Sequence, residues 1–431
     1  MRSKHRWFIV FVFFMFVLLH QADKLLIGPL TTPIMESFHI NEAQMGAVSS
    51  LAIIVAAVLY PVWGYLYDRY TRSKLLALAS FIWGSTTWLN ALAPNYPTFL
   101  VTRASTGIDD SSYPGMYSLL SDYFGPSVRG KVYGLLQVAQ PMGYMLGTIL
   151  ATVLGGLIGW RRVFYITGSV GILIAVAIFF GVREPKRGQS EPELEDIEGL
   201  SAYRINWQVA KGLFLKPSLL LLFAQGFFGV FPWNVLVFWF FRYLETERNY
   251  DEGQATITMM ITIVFLSAGY FLGGLAGDLL FKRTPRGRAI VSGVGVITGA
   301  IFLYLAMNVP LTNPVLFTVL VAILGIFMSN ASPNVTSTVH DVTEPEARAT
   351  ALAILSFIEN GGSALSPFLA GLIAVRYSLH TAIITICVST WIVCGFLFIA
   401  VALTVPNDIA RLRKAMRERA EQERMIHAEA A

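Results

Sequence analysis

Apolar residues fill long, nearly uncharged runs along this 431-residue chain, and short polar clusters separate them. A helix rises 1.5 Å per residue, so about 20 such residues cross the roughly 30 Å hydrocarbon core of a bilayer. The runs predict twelve helices, at 7–33, 43–67, 73–93, 97–122, 129–155, 162–182, 217–243, 254–281, 287–308, 314–341, 348–373 and 378–404. Most lack the polar face that a helix of a soluble protein turns to water. The pattern therefore predicts an all-α membrane protein with twelve transmembrane helices. The first run follows Arg2, Lys4 and Arg6 in the manner of a secretory leader. It is too long for one and has no small-residue cleavage site, so it reads as the first span.

One long internal polar stretch, 183–216, carries Glu191, Glu193, Glu195, Asp196 and Glu198 between basic flanks. It reads as a linker joining six-helix halves at 1–182 and 217–404, with a tail at 405–431. A repeated motif supports the division. Asp122-Tyr-Phe-Gly-Pro126-Ser-Val-Arg129 returns as Asp341-Val-Thr-Glu-Pro345-Glu-Ala-Arg348, with Asp, Pro and Arg each displaced by 219 residues. A second pair, Gly64-x-Leu66-x-Asp68-Arg69-x-x-Arg72 and Gly274-x-x-x-Asp278 with Lys282 and Arg283, joins corresponding spans. Glycine permits close helix approach, and an Asp at a helix end can hold the nearby cations. Membrane proteins built from repeated halves are most often transporters.

Composition and charge narrow the picture. The chain is 55% hydrophobic and 14% charged, against about 25% charged in soluble domains. Of its Lys and Arg residues, 25 fall on the side of the termini and linker and five on the other. The positive-inside rule then places the termini, linker and both repeated motifs in the cytoplasm, with the protein expected in the cell membrane. The net charge of +5 suits anionic headgroups and requires no nucleic-acid partner. Cys387 and Cys394 lie seven residues apart in one run, about 10 Å along a helix, which reads as packing and not a disulfide. The six histidines show no metal-ligand spacing, and there is no phosphate loop or Ser-His-Asp arrangement. No cofactor, metal or enzymatic activity is expected. Residues 410–423 are expected to form a short surface helix.

The loop from Gly64 to Arg72, together with the Asp-Pro-Arg repeat, resembles the major facilitator superfamily across the whole chain. The resemblance implies rocking of two halves around a central site and assigns Gly64, Asp68, Arg69, Arg72, Asp278, Arg129 and Arg348 to gating. The alternative reading is that these residues only anchor helix ends. Asp23-Lys24, and Arg103-x-x-x-Gly107-x-x-Asp110 with Leu120-Ser-Asp122-Tyr-Phe, resemble the Spinster-like branch. Here Lys24 replaces Arg, Asp110 replaces Glu and Asp109 replaces Gly. That branch implies lysophospholipids or related amphiphiles as substrates.

Charges inside spans cost about 2.5–3.5 kcal/mol on insertion scales, which marks them as functional by default. Asp23 and Asp110 are candidate proton-coupling groups, with Lys24 and Arg103 as their cations and as substrate contacts. The competing reading is structural ion pairing between the first and fourth spans. Asp109, about 100° from Asp110 on a regular helix, is expected to face elsewhere. Glu359 in the eleventh span lies 219 residues from Gln140 in the fifth, so the pair suggests equivalent polar positions, Glu359 being a third proton-coupling candidate. Gln225, Trp233 and Asn234 in the seventh span and Asn330 in the tenth are further candidate substrate contacts. The expectation is a monomeric, proton-coupled secondary transporter of an anionic amphiphile, or alternatively of a small carboxylate or sugar acid.

Overall fold

The computed structural model describes residues 3–110, 112–124, 126–185, 212–343 and 347–429. Most of the linker expected at 183–216, and the side chains of Asp68, Arg129 and Arg348, lie outside the described residues. Regular structure among the described residues is entirely helical. In a bilayer this follows from the need to satisfy every backbone N–H and C=O internally.

The first span is α1 (Ser3–Leu26), which gives way at Gly28 and Pro29 to α2 (Thr31–Phe38). The second and third are α3 (Glu42–Arg69) and α4 (Arg72–Leu92). The fourth consists of α5 (Tyr96–Ser105), α6 (Gly107–Asp110) and α7 (Tyr113–Tyr123). The fifth is α8 (Pro126–Ile149), which widens into a π-helical turn at Leu150–Leu154 and ends in α9 (Gly155–Ile158). The sixth is α10 (Trp160–Gly181). The seventh to ninth are α11 (Pro217–Thr246), α12 (Glu252–Phe281) and α13 (Gly287–Met307). The tenth joins α14 (Pro314–Ser329) to α15 (Ala331–Asp341), and the eleventh is α16 (Arg348–Arg376). The twelfth runs from α17 (Leu379–Ile383) through a π-helical segment at Ile384–Val388 into α18 (Ser389–Glu429).

Eleven helical stretches among the described residues are long and apolar enough to cross a membrane. The remaining predicted span, 97–122, is the fourth, which the structure breaks into three pieces. The separate surface helix expected at 410–423 is instead the continuation of α18, which passes Pro406 and reaches Glu429 without interruption. Side-chain caps start several helices. Asn41 accepts from the Gln44 backbone N–H (2.9 Å) while Gln44 Oε1 accepts from the Asn41 N–H (3.0 Å). This reciprocal box satisfies two of the amides left open at a helix start.

One compact unit collects described residues within Met1–Tyr203, Asn234–Ile263 and Ser363–Ala382. In it α1 packs on α8, and α4 on α10. Small residues permit this: a Cβ on Gly147 would overlap the Ala22 carbonyl, and one on Gly84 would lie 2.6 Å from the Gly168 carbonyl oxygen. The core of this unit is lined by Phe13, Phe16, Trp83, Leu136 and Tyr123. Within the same unit Arg242 of α11 bonds Glu42 (2.9 Å) and Thr32 (3.1 Å), and Trp239 donates to the Pro367 carbonyl (2.9 Å).

The second unit collects described residues within Arg204–Trp233, Val264–Gly362 and Ile383–Ala431. Its pairings repeat those of the first at a six-span offset. A Cβ on Gly362 of α16 would overlap the Phe227 carbonyl of α11, as one on Gly143 of α8 would overlap the Leu18 carbonyl of α1. Gly143 and Gly362 are themselves 219 residues apart. Spans nine and twelve likewise pair as three and six do. The repeat seen in the loops therefore extends into the packing of the spans.

Candidate proton and substrate site

The fourth span breaks where its sequence is least suited to a helix. Thr106, Gly107, Asp109, Asp110 and Ser112 all favour turns or compete for backbone hydrogen bonds. Thr106 turns back on Arg103, both its N–H (3.1 Å) and its Oγ1 (2.7 Å) donating to that carbonyl. The Trp63 indole donates to the Ile108 carbonyl from the second span. Irregular backbone at membrane depth survives only when protein groups satisfy it in this way. Gly107 makes the approach possible, because a Cβ there would overlap the Ala52 carbonyl and lie 2.8 Å from the Ala56 nitrogen.

The break aims both acids at the first span. Lys24 Nζ donates to Asp110 Oδ2 at 2.9 Å. His20 Nε2 lies 2.6 Å from Asp109 Oδ2 and 3.7 Å from Asp110 Oδ1. Asp109 thus shares a face with Asp110, contrary to the regular-helix expectation, because α6 is a four-residue piece set by its own turns. Asp23 is held by hydroxyls and not by the neighbouring Lys24. Thr167 Oγ1 of α10 donates to its Oδ1 (2.6 Å), and Thr87 Oγ1 of α4 to its Oδ2 (3.2 Å). Arg103 is buried above the Phe164 ring at 6.0 Å, within the electrostatic reach of Asp23, Asp109 and Asp110. Its Nη1 has no hydrogen-bond partner among the described residues.

Exposure separates these charges. The His20 and Asp109 side chains are 5% and 1% exposed, whereas Lys24 is 47% exposed and Asp110 19%. The first pair is sealed; the second opens to whatever fills the space beside it. Sequence reading passed over His20, Thr87 and Thr167. His20 did carry a signal, since it stands one helical turn before Lys24 on the same face.

Candidates in the second unit are placed differently. Glu359 is half-buried beside Gly226 and accepts no hydrogen bond or ion pair among the described residues. Gln225 is buried, its Nε2 reaching the Cys394 Sγ at 4.0 Å. Asn234, which belongs to the first unit, donates to Ser363 Oγ (3.0 Å), and Trp233 is half-buried. Asn330 is buried among Gly273 and Gly295, where its side chain serves the packing of α12, α13 and α14. Gln140 is half-buried on α8, one turn before Gly143.

The motif residues form one cluster in each unit. Arg72 bonds Asp122 (2.6 Å), Glu184 (2.8 Å) and Ser118 (3.0 Å). In the second unit Arg288 bonds Asp278 (2.6 Å) and Asp341. Each copy of the repeated Asp, at the end of its span, therefore grips one arginine at the start of the preceding span. Arg288 escaped the sequence reading because Lys282 and Arg283 stand closer to Asp278 in the chain. Arg69 donates to the Tyr65 hydroxyl (2.7 Å). Gly64 does not mediate a close approach here: a Cβ on it would meet nothing within 4 Å.

The family model for the Major Facilitator Superfamily matches residues 8–321 and 286–425. The chain belongs to that superfamily. Protein spinster homolog 1 of Xenopus tropicalis is 27% identical over 442 residues, covering 95% of this chain and 82% of that protein. The cis,cis-muconate transport protein of Acinetobacter baylyi is also 27% identical, over 405 residues, covering 91% and 94%. A crystal structure of a bacterial homolog to the human lysosomal transporter Spinster matches with a TM-score of 0.84 at 20% identity, covering 95% of this chain and 99% of that one. The fold is that of these transporters, and the Spinster-like resemblance of spans one and four extends over most of the chain. The protein is a multi-pass integral membrane protein of a transporter superfamily.

Proposed function

We propose that this transporter is a proton-coupled carrier of an organic anion, working by alternating access, with Lys24 and Asp110 as its coupling pair. The observation that carries this reading is the 2.9 Å ion pair between a buried-side carboxylate and a lysine that is 47% exposed. A cation held by a titratable acid, yet reachable from outside the protein, can change partners. Protonation of Asp110 releases the Lys24 ammonium to an anionic headgroup, and its deprotonation reclaims it. Proton and anion then favour each other's binding, and such coupling is reciprocal. Asp23, fixed by two threonine hydroxyls, is a second candidate acid, Arg103 a buried counter-charge, and Glu359 a separate acid in the other unit.

An anionic amphiphile such as a lysophospholipid is the first substrate class, supported by what the Spinster-like resemblance implies and by the half-exposed Lys24 ammonium, a cation suited to a phosphate. A small carboxylate is the second, supported by the muconate transport protein, which aligns over nearly all of its own length. The charge asymmetry of the loops supports cytoplasmic termini. The test is uptake into proteoliposomes of a radiolabelled lysophospholipid and of cis,cis-muconate, with and without an inward proton gradient. Gradient-driven accumulation of either should be lost in Asp110→Asn, and Lys24→Met should abolish anion uptake. Full gradient-driven accumulation by Asp110→Asn would overturn the coupling assignment.

A further inference from the structure

We propose that His20 and Asp109 form a second proton site in this transporter, distinct from Asp110, which decides whether Lys24 is free. The inference rests on the anion-coupling reading above and adds to it a second group that takes a proton and loosens the same Lys24–Asp110 pair. Its basis is a juxtaposition that the regular helix would forbid: one imidazole nitrogen faces two carboxylates from the broken fourth span, at 2.6 and 3.7 Å.

Charge balance points the same way. Ionised Asp23, Asp109 and Asp110 stand against two permanent cations, Lys24 and Arg103, in one cluster. A net negative charge in a cluster whose His20, Asp109 and Arg103 are buried is costly, and one added proton removes it. His20 is the group placed to take that proton. Its ring is sealed by Phe16 (centroids 5.7 Å, stacked) and by Trp83 (5.2 Å, edge-on). The charges whose fields reach it are Asp109 and Asp110 from the fourth span and Lys24 on its own helix. Tyr144 of the fifth span lies within reach of Asp110. The third span presents Trp83, and the hydroxyls of Thr87 and Thr167 are engaged by Asp23.

The step is a proton transfer only. A hydronium ion arriving through the partly exposed Asp110 side gives its proton to neutral His20 and leaves water behind, and the imidazolium then has its charge shared by Asp109 Oδ2 and Asp110 Oδ1. Asp110 no longer needs Lys24, whose ammonium becomes available to an anion. When the proton leaves, Asp110 recaptures Lys24 and the anion is released. Asp109 stands where the resembled branch pattern has a glycine, so this site belongs to the present chain's own departure from that pattern.

The experiment is magic-angle-spinning NMR of full-length protein in lipid vesicles, with ¹⁵N-labelled histidine and no substrate. His20→Gln removes one ring signal and so assigns it. The expected result is a His20 ring that passes between doubly and singly protonated forms as pH is moved from 5 to 9. In Asp109→Asn, which loses both the 2.6 Å contact and a negative charge, the doubly protonated form at pH 7 should fall at least tenfold, and Asp110→Asn, which loses a charge at 3.7 Å, should lower it by less. Size-exclusion profiles check that each variant is folded. A His20 ring in one protonation state throughout, or one indifferent to Asp109→Asn, overturns the dyad. The dyad's failure leaves the Lys24–Asp110 pair standing, since that pair is tested separately by gradient-driven uptake in Asp110→Asn.

Discussion

The two arginine clusters, one in each unit, each hold a copy of the repeated Asp, yet burial predicts different energies for them. Arg72 is 4% exposed and Asp122 9%, with Glu184 at 28%. Arg72→Ala leaves the Asp122 carboxylate buried without its cation, and removing one partner of a buried ion pair costs about 3–5 kcal/mol. Glu184→Gln removes a partner that is partly in water and should cost about 1 kcal/mol or less. Arg288 is 15% exposed, but Asp278 is 59% exposed and Asp341 26%. Arg288→Ala should therefore cost only about 1–2 kcal/mol, part of it from the stacking of the guanidinium over Phe281 at 4.2 Å. The assay is equilibrium unfolding in mixed detergent micelles, repeated at low and high salt. The Arg72→Ala/Asp122→Ala double-mutant cycle should return a coupling of about 2–3 kcal/mol that salt barely changes, whereas the Arg288 cluster should weaken visibly. Equal losses for Arg72→Ala and Arg288→Ala, or equal salt dependence, would refute the argument that burial sets the difference.

Glycine provides a second contrast. Gly107→Val must displace the Ala52 backbone and should reduce folded yield, with a cost above the roughly 1–3 kcal/mol of ordinary overpacking; Gly64→Ala, in an open helical position, should be neutral or stabilising by up to about 1 kcal/mol. Size-exclusion yield and thermal unfolding of both variants decide this. Arg242→Ala releases Glu42 and Thr32 and should raise maleimide labelling of a cysteine placed at the buried Met35 of α2 by about fivefold or more, for a lost pair of about 1–2 kcal/mol; unchanged labelling would show that this tie does not hold the end of α11. Lys24→Met should abolish uptake of an anionic substrate while leaving binding of an uncharged analogue within about twofold, a split that equilibrium dialysis measures and that a purely structural Lys24 would not produce.

The spans and their repeat were legible because bilayer thickness and backbone satisfaction leave few alternatives to a 20-residue apolar helix. The 219-residue offset found in the Asp-Pro-Arg loops holds again in the packing of Gly143 and Gly362, residues the sequence marked only as glycine-rich stretches. The fourth span was predicted as one helix because its mean apolarity is that of a span; the break depends on Trp63 and the Ala52 backbone, which are remote in sequence and meet it only in the fold. The same break brought Asp109 onto the face of Asp110. Asp23 illustrates the converse limit: its nearest cation in sequence is Lys24, but its carboxylate is met by Thr87 and Thr167 from two other spans. Hydroxyls within apolar runs carry no sequence signal of their own. Arg72 was singled out from the loop motif, while its second-unit counterpart Arg288 was masked by the denser basic residues before it.

The central claim is that an anion and a proton share the Lys24–Asp110 pair. Its most direct measurement is proton entry into proteoliposomes containing a trapped pH dye, triggered by adding the transported anion outside with no imposed gradient. Wild type should acidify the lumen in step with anion uptake, and Asp110→Asn should take up the anion without acidification or not take it up at all. Acidification by Asp110→Asn at the wild-type ratio of protons to anions would contradict it.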